Sequence, residues 1–170
     1  NLYTMPKPTI ALVQGPAYGG GLGLVAACDI ALGVRDVKFC LSEVKLALIP
    51  AVISPYVVEA MGARACRRYF QTAEVFDGET AHRLGLLHEL VDDVHHLAEA
   101  RDKLLDQIVK NAPGAMADAK DLVSTVAGRP IDSHILRETA DRIAERRASD
   151  EGKEGVQAFL EKRKPHWHII

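Results

Sequence analysis

A chain of 170 residues, 48% of them apolar, can bury one substantial core, and it carries no uncharged apolar run of membrane-spanning length. Acids and bases are interspersed and sum to a formal charge of −2, which leaves no basic stripe for nucleic acid, and no stretch resembles a signal peptide. These bounds predict a soluble, cytoplasmic protein of about one domain, with no membrane segment and no nucleic-acid partner.

In chain order, Thr9 to Val13 reads as a buried strand and Gly20 to Cys28 as a short helix. Ile30 to Val34 reads as a second strand, and Lys38 to Leu41 as a third after the Arg35-Asp36 turn. Ile53 to Met61 has helical composition and closes at Gly62. A second helix spans Ala63 to Thr72, and Asp77 caps a third that stops at Gly85. Leu86 to Val91 returns as a strand, so the first half is α/β. From Leu97 onward the apolar spacing is helical, through Leu104, Leu105 and Ile108, then Ile135, Leu136 and Ile143, then Val156, Phe159 and Leu160. Asn-Ala-Pro at 111 to 113 and Gly-Arg-Pro at 128 to 130 interrupt that spacing. The division expected is an α/β part over 1–110 and a helical subdomain over 111–170. Its amphipathic helices are too few to close a bundle, so their apolar stripe must pack on the α/β part or on another subunit.

The stretch from Gln14 to Asp29, QGPAYGGGLGLVAACD, joins a strand to a helix through three consecutive glycines. Glycines there let the backbone approach a ligand, and the first helical turn presents N–H donors without intrahelical partners, so the site suits an oxyanion or a phosphate. Tight helix-on-sheet packing alone would also account for Gly19, Gly20 and Gly21. A Walker A loop requires Gly-Lys followed by Ser or Thr, and the stretch has no lysine. Gly21, Gly23 and Ala26 fit G-x-G-x-x-A with Glu43 as a ribose acid, but the loop from Gly15 to Tyr18 separates the glycines from the strand end, where a dinucleotide fingerprint begins. An oxyanion hole fits that loop better.

Cys28, Cys40 and Cys66 are odd in number, widely spaced and set among apolar neighbours, as reduced core thiols are. His95-His96 and His166-Trp167-His168 lack the i, i+4 spacing of a helical zinc site, so no metal is expected.

The segments KPTIALVQGPAYGGGLGLVAACDIALG, KFCLSEVKLALIP, FDGETAHRLGLLHELVD and EGVQAFLEKRKPHW together resemble the crotonase superfamily of enoyl-CoA hydratases and isomerases. Within it, SEVKLALIPAVISPYVV is most similar to the branched glutaconyl-CoA hydratases. The resemblance implies a crotonase-like β/β/α spiral core with a helical C-terminal subdomain, assembly as a homotrimer or homohexamer, and an acyl-CoA thioester as substrate with no separate cofactor. It also implies a place in the catabolism of branched-chain amino acids, isoprenoids or fatty acids. Carried onto this sequence, Gly20 matches the oxyanion-hole donor, flanked by Gly19 and Gly21 in the substrate-binding turn. Glu43 matches the catalytic carboxylate that moves a proton on the acyl chain, and Phe159 and Lys162 match positions that reach the CoA of a neighbouring subunit.

Two departures stand out. Where two-carboxylate hydratases place a second Glu three residues after the oxyanion glycine, this chain has Gly23. An isomerase, which needs one proton shuttle, therefore stands beside the hydratase reading. The family's first spiral turns, adenine pocket and first oxyanion donor lie upstream of Asn1, so a non-catalytic acyl-CoA-binding or assembly module is a third reading. Little turnover is expected of the 170 residues alone.

Overall fold

A computed structural model describes residues 2–168. The residues fall into two compact units: Thr9–Leu104 together with the residues up to Tyr3, and Thr4–Pro8 together with the residues from Leu105 onward.

The first unit contains two small sheets. β1 (Ile10–Val13) lies parallel to β3 (Ile30–Val34), with Leu12 opposite Leu32, and β3 lies parallel to β6 (Glu89–Val91). The central strand β3 is buried almost throughout, which is why it reads as a continuous apolar run with no alternation. Entry into β1 is pinned by Asp29, whose Oδ2 accepts from the Thr9 amide and hydroxyl, both at 2.7 Å. On the other side of β3, His88 accepts from the Ala31 amide through Nδ1 at 3.1 Å. In the second sheet, β2 (Ala17–Tyr18) is parallel to β4 (Lys38–Cys40), and β4 is antiparallel to β5 (Phe76–Asp77).

α1 (Gly20–Ala26) follows β2, α2 (Ser54–Met61) packs on it, and α3 (Ala63–Thr72) follows directly. Leu22, Phe39 and Val57 are fully buried where these elements meet, and Phe39 stacks on Phe76 with ring centroids 5.5 Å apart. α4 (Gly78–Arg83) is capped by Asp77, whose carboxylate accepts from the Thr80 amide at 2.9 Å. That bond holds the Asp77 carboxyl below its ordinary range. The two buried cysteines are thiols: Cys40 donates to the Ala73 carbonyl and Cys66 to that of Val57, and burial pushes the Cys66 thiol up.

Two sequence expectations change here, and two short strands join them that the sequence does not announce. The strand expected over Leu86 to Val91 is confined to β6, because Leu86 and Leu87 lie in a turn whose amides bond to the Ala81 carbonyl while their side chains fill the core. The long helix starts at Val94, before Leu97, since Asp93 accepts from the His96 amide at 2.9 Å and opens it. β2 and β5, two residues each, are too short to show any periodicity.

α5 (Val94–Ile108) leads into the second unit, made of α6 (Pro113–Val126), α7 (Ser133–Ala148) and α8 (Asp150–Leu160). Glu151 accepts from the amides of Gly114 and Ala115, both at 3.0 Å, and so neutralises the start of α6. Arg142 bridges to Asp121 at 2.7 Å and Arg146 to Asp118 at 2.9 Å, tying α7 to α6. On α7 Ile135 is buried, whereas Leu136 and Ile143 remain 58% and 57% exposed, so the described residues leave these two uncovered.

The tail is held by charge. Arg163 donates to both Glu154 carboxylate oxygens, at 2.7 and 2.9 Å, and with the His166 amide it lowers the Glu154 carboxyl from an ordinary 4.5 to about 2. A carboxylate whose folded pKa is depressed contributes stability that is complete above 4.5 and lost as pH falls toward about 2. The single tryptophan, Trp167, lies against Gly155 and donates to the Lys110 carbonyl at 3.3 Å, so its fluorescence reports on this tail. Its emission is expected to shift across that acid window, and Arg163→Ala to move the transition upward toward 4.5. A pH-insensitive Trp167 signal would contradict this.

Candidate active site

β1 delivers the chain to Gly15 and Pro16, β2 pairs with β4, and the chain then turns sharply at Gly19, whose φ of 49° is a conformation that favours glycine. The Gly19 amide is spent on the Cys40 carbonyl at the end of β4, at 2.9 Å. The first helical bond of α1 runs from the Gly23 amide back to the Gly19 carbonyl at 3.2 Å, so Gly20 and Gly21 stand ahead of it with N–H groups that have no intrahelical acceptor. Gly20 is exposed, and a Cβ added there would meet nothing within 4 Å.

The same pairing of β2 with β4 brings Glu43 to this turn. β4 ends at Cys40, and Glu43 opens a short 3-10 helix, Glu43–Leu46, that closes at Ala47 in a left-handed conformation. The sequence placed Glu43 just past a strand end. The helical turn instead aims its side chain back over the glycines: Oε1 lies 3.2 Å from where a Cβ on Gly19 would stand. Oε2 is buried and has no hydrogen-bond partner among the described residues. A carboxylate oxygen removed from water without a partner is costly, and such groups concentrate where a fold serves chemistry.

One turn further along α1, Gly23 faces a residue that the sequence did not single out, Ile53 at the start of α2. A Cβ on Gly23 would fall 2.1 Å from Ile53 Cγ2, so Ile53 occupies the space directly over that glycine. The signal was present in the spacing of Gly19, Gly23 and Ala27, a small-residue stripe at i, i+4 and i+8 that requires something to lie close on it. The position expected to hold a second carboxylate in a two-acid site is thus filled by an alkyl side chain. Gly23→Glu is accordingly expected to overpack α1 against α2 and lower stability by about 1 to 3 kcal/mol or more. A thermal midpoint equal to that of the wild type would show that Ile53 yields easily.

Gly19, Gly20, Gly21 and Glu43 are therefore gathered at one turn of the first unit. Phe159 and Lys162 belong to the second unit: Phe159, on α8, is 82% exposed, and Lys162 follows that helix with a φ of 53°. His95 stands beside Glu99 and His96 beside Asp93, away from this turn in sequence and in partners.

A carboxylate with one buried oxygen thus lies over Gly19, the residue that precedes the unspent amides opening α1, so a group able to carry a proton and donors suited to an oxyanion meet at one turn. The sequence model of the enoyl-CoA hydratase/isomerase family matches residues 1–169, and the chain belongs to that family. Its fold is the mixed α/β crotonase-like one. The crystal structure of an enoyl-CoA hydratase from Shewanella pealeana superposes with a TM-score of 0.94 at 51% identity, over 98% of this chain and 62% of that one. The enoyl-CoA hydratase AKT6-1 of Alternaria alternata is 34% identical over 94% of this chain and 53% of its own length. The mitochondrial Δ(3,5)-Δ(2,4)-dienoyl-CoA isomerase of Dictyostelium discoideum is 31% identical over 94% of this chain and 54% of its own length. The chain thus spans between 53% and 62% of these relatives.

Proposed function

We propose that the protein of which these residues form the site is an enoyl-CoA hydratase, a lyase that adds water across the double bond of a 2-enoyl-CoA thioester. The observation that carries this reading is the buried Oε2 of Glu43, without a hydrogen-bond partner among the described residues, beside the glycine turn. In the step proposed, the Gly20 N–H donates to the thioester oxygen, which gains negative charge as water oxygen bonds to Cβ. Glu43 handles the accompanying proton transfer, and the proton ends on Cα as the enolate collapses. Gly19 and Gly21 shape the turn that receives the thioester. No separate cofactor is invoked, because coenzyme A is part of the substrate.

The finer substrate proposed is a branched glutaconyl-CoA. Its support is the similarity of the segment from Ser42 to Val58. The alternative is an enoyl-CoA isomerase, in which Glu43 takes a proton from one carbon and returns it to another; the single carboxylate favours it. Loss of the 2-enoyl thioester chromophore on adding the full-length protein supports the hydratase. Appearance of that chromophore from a 3-enoyl thioester supports the isomerase, and binding without either leaves a non-catalytic acyl-CoA module.

We also propose a homotrimer or homohexamer in which the exposed faces of Leu136, Ile143 and Phe159 are covered by other copies and Phe159 and Lys162 approach a neighbour's CoA. Light scattering of a folded monomer at micromolar concentration would count against it.

A further inference from the structure

Five exposed large apolar residues, Val44, Leu46, Leu48, Ile49 and Val52, lie between Glu43 and α2. Ile53 follows them and behaves differently. It is half-buried, its carbonyl accepts from the Val57 amide at 3.1 Å, and its side chain is pressed onto α1 at Gly23. Pro55 in the first turn of α2 restricts the backbone just beyond it. Ile53 is therefore held firmly and still presents part of its surface.

Gly19 and Gly23 are four residues apart, and a helix rises about 6 Å over that interval. Glu43 lies against Gly19, which caps α1, and Ile53 against Gly23, whose amide bonds back to the Gly19 carbonyl at 3.2 Å, so carboxylate and alkyl group close on glycines one turn apart. A separation of about 6 Å corresponds to a few carbon–carbon bonds. A thioester whose reacting carbons sit at Glu43, with its oxygen at the Gly20 amide, would bring the remainder of its acyl chain up to Ile53.

We propose that Ile53 is a specificity-determining residue: seated on Gly23 beside Glu43, it is the apolar stop against which the acyl chain ends, and its bulk sets how long a chain the site accepts. This rests on the hydratase or isomerase reading of Glu43 and extends it to the acyl end, and it competes with the branched glutaconyl substrate, whose terminal carboxylate an alkyl wall would leave without a partner. An alkyl wall discriminates chains by the space it leaves, and in hydrophobic pockets one carbon more or less changes kcat/KM by about 10- to 200-fold.

The test uses the full-length protein with a short and a medium-length straight-chain enoyl-CoA, each as the 2-enoyl and the 3-enoyl isomer. Wild type, Ile53→Ala and Ile53→Phe are compared, with Glu43→Gln as control. Ile53→Ala is expected to raise the ratio of kcat/KM for the medium over the short chain about tenfold or more, chiefly through KM of the longer substrate, and Ile53→Phe to lower it. Should Ile53→Ala not fold by circular dichroism, Ile53→Val, which trims one carbon, is expected to move the ratio the same way by about threefold or more. A ratio within about twofold of wild type in a folded variant overturns the proposal. When Glu43→Gln is also inactive, that result leaves the reading of Glu43 standing. If the wild type turns over neither isomer of either chain, or Glu43→Gln matches it, the functional reading fails and the proposal fails with it.

Discussion

Glu43→Gln in the full-length protein is expected to lower kcat by about 10²- to 10⁴-fold, the usual contribution of a positioned acid or base, with little change in affinity for the thioester. Glutamine keeps the length and planarity of glutamate, so the contact of the side chain with Gly19 should survive. What is lost is the ability to carry a proton. The oxygen at stake is Oε2, buried and unmatched within the described residues. In a purely structural glutamate, replacing a buried unpartnered carboxylate oxygen by a neutral amide relieves desolvation and raises stability. The two roles thus predict different pairs of results. Lower kcat with a thermal midpoint equal to or above that of wild type marks a group retained for chemistry at some cost in stability. An unchanged kcat would end the catalytic reading whatever the midpoint did.

How much of this was legible beforehand depends on the reach of each interaction along the chain. The central strand β3 could be read because burial on both faces leaves an uninterrupted apolar run, β1 because its letters are apolar throughout although Leu12 is exposed, and α4 because Asp77 and Gly85 mark its two ends locally. β2 and β5 could not, since strands of two residues are defined only by their partners in β4. Leu86 and Leu87 misled because core burial from a turn produces the same letters as a buried strand. At the site, the glycine turn was visible from its own residues. Its pairing with Glu43 followed from family resemblance rather than from spacing, and Ile53, thirty residues from Gly23, was invisible until the packing of α2 on α1 was in hand. A small residue on a helix face states that something lies close there, but not what.

Gly20→Pro is expected to cost about 10²- to 10³-fold in kcat, the measured scale for removing one oxyanion donor in other enzymes, or roughly 3 to 4 kcal/mol of transition-state stabilisation. Gly20 is the first residue of α1, the position at which proline is best tolerated in a helix, because the N–H it eliminates has no intrahelical acceptor. A Cβ built there meets nothing within 4 Å, and the residue before it is a glycine, which avoids the usual clash of a side chain with the proline ring. The substitution therefore removes a donor while leaving the fold its first turn. Gly20→Ala supplies the comparison: it adds a methyl to the same open space and keeps the N–H. If the amide is what holds the thioester oxygen, Gly20→Ala should retain most of the activity that Gly20→Pro loses, with similar thermal midpoints for both. Equal loss in the two variants would assign the effect to bulk against the substrate, and full activity of a folded Gly20→Pro would remove Gly20 from the oxyanion site.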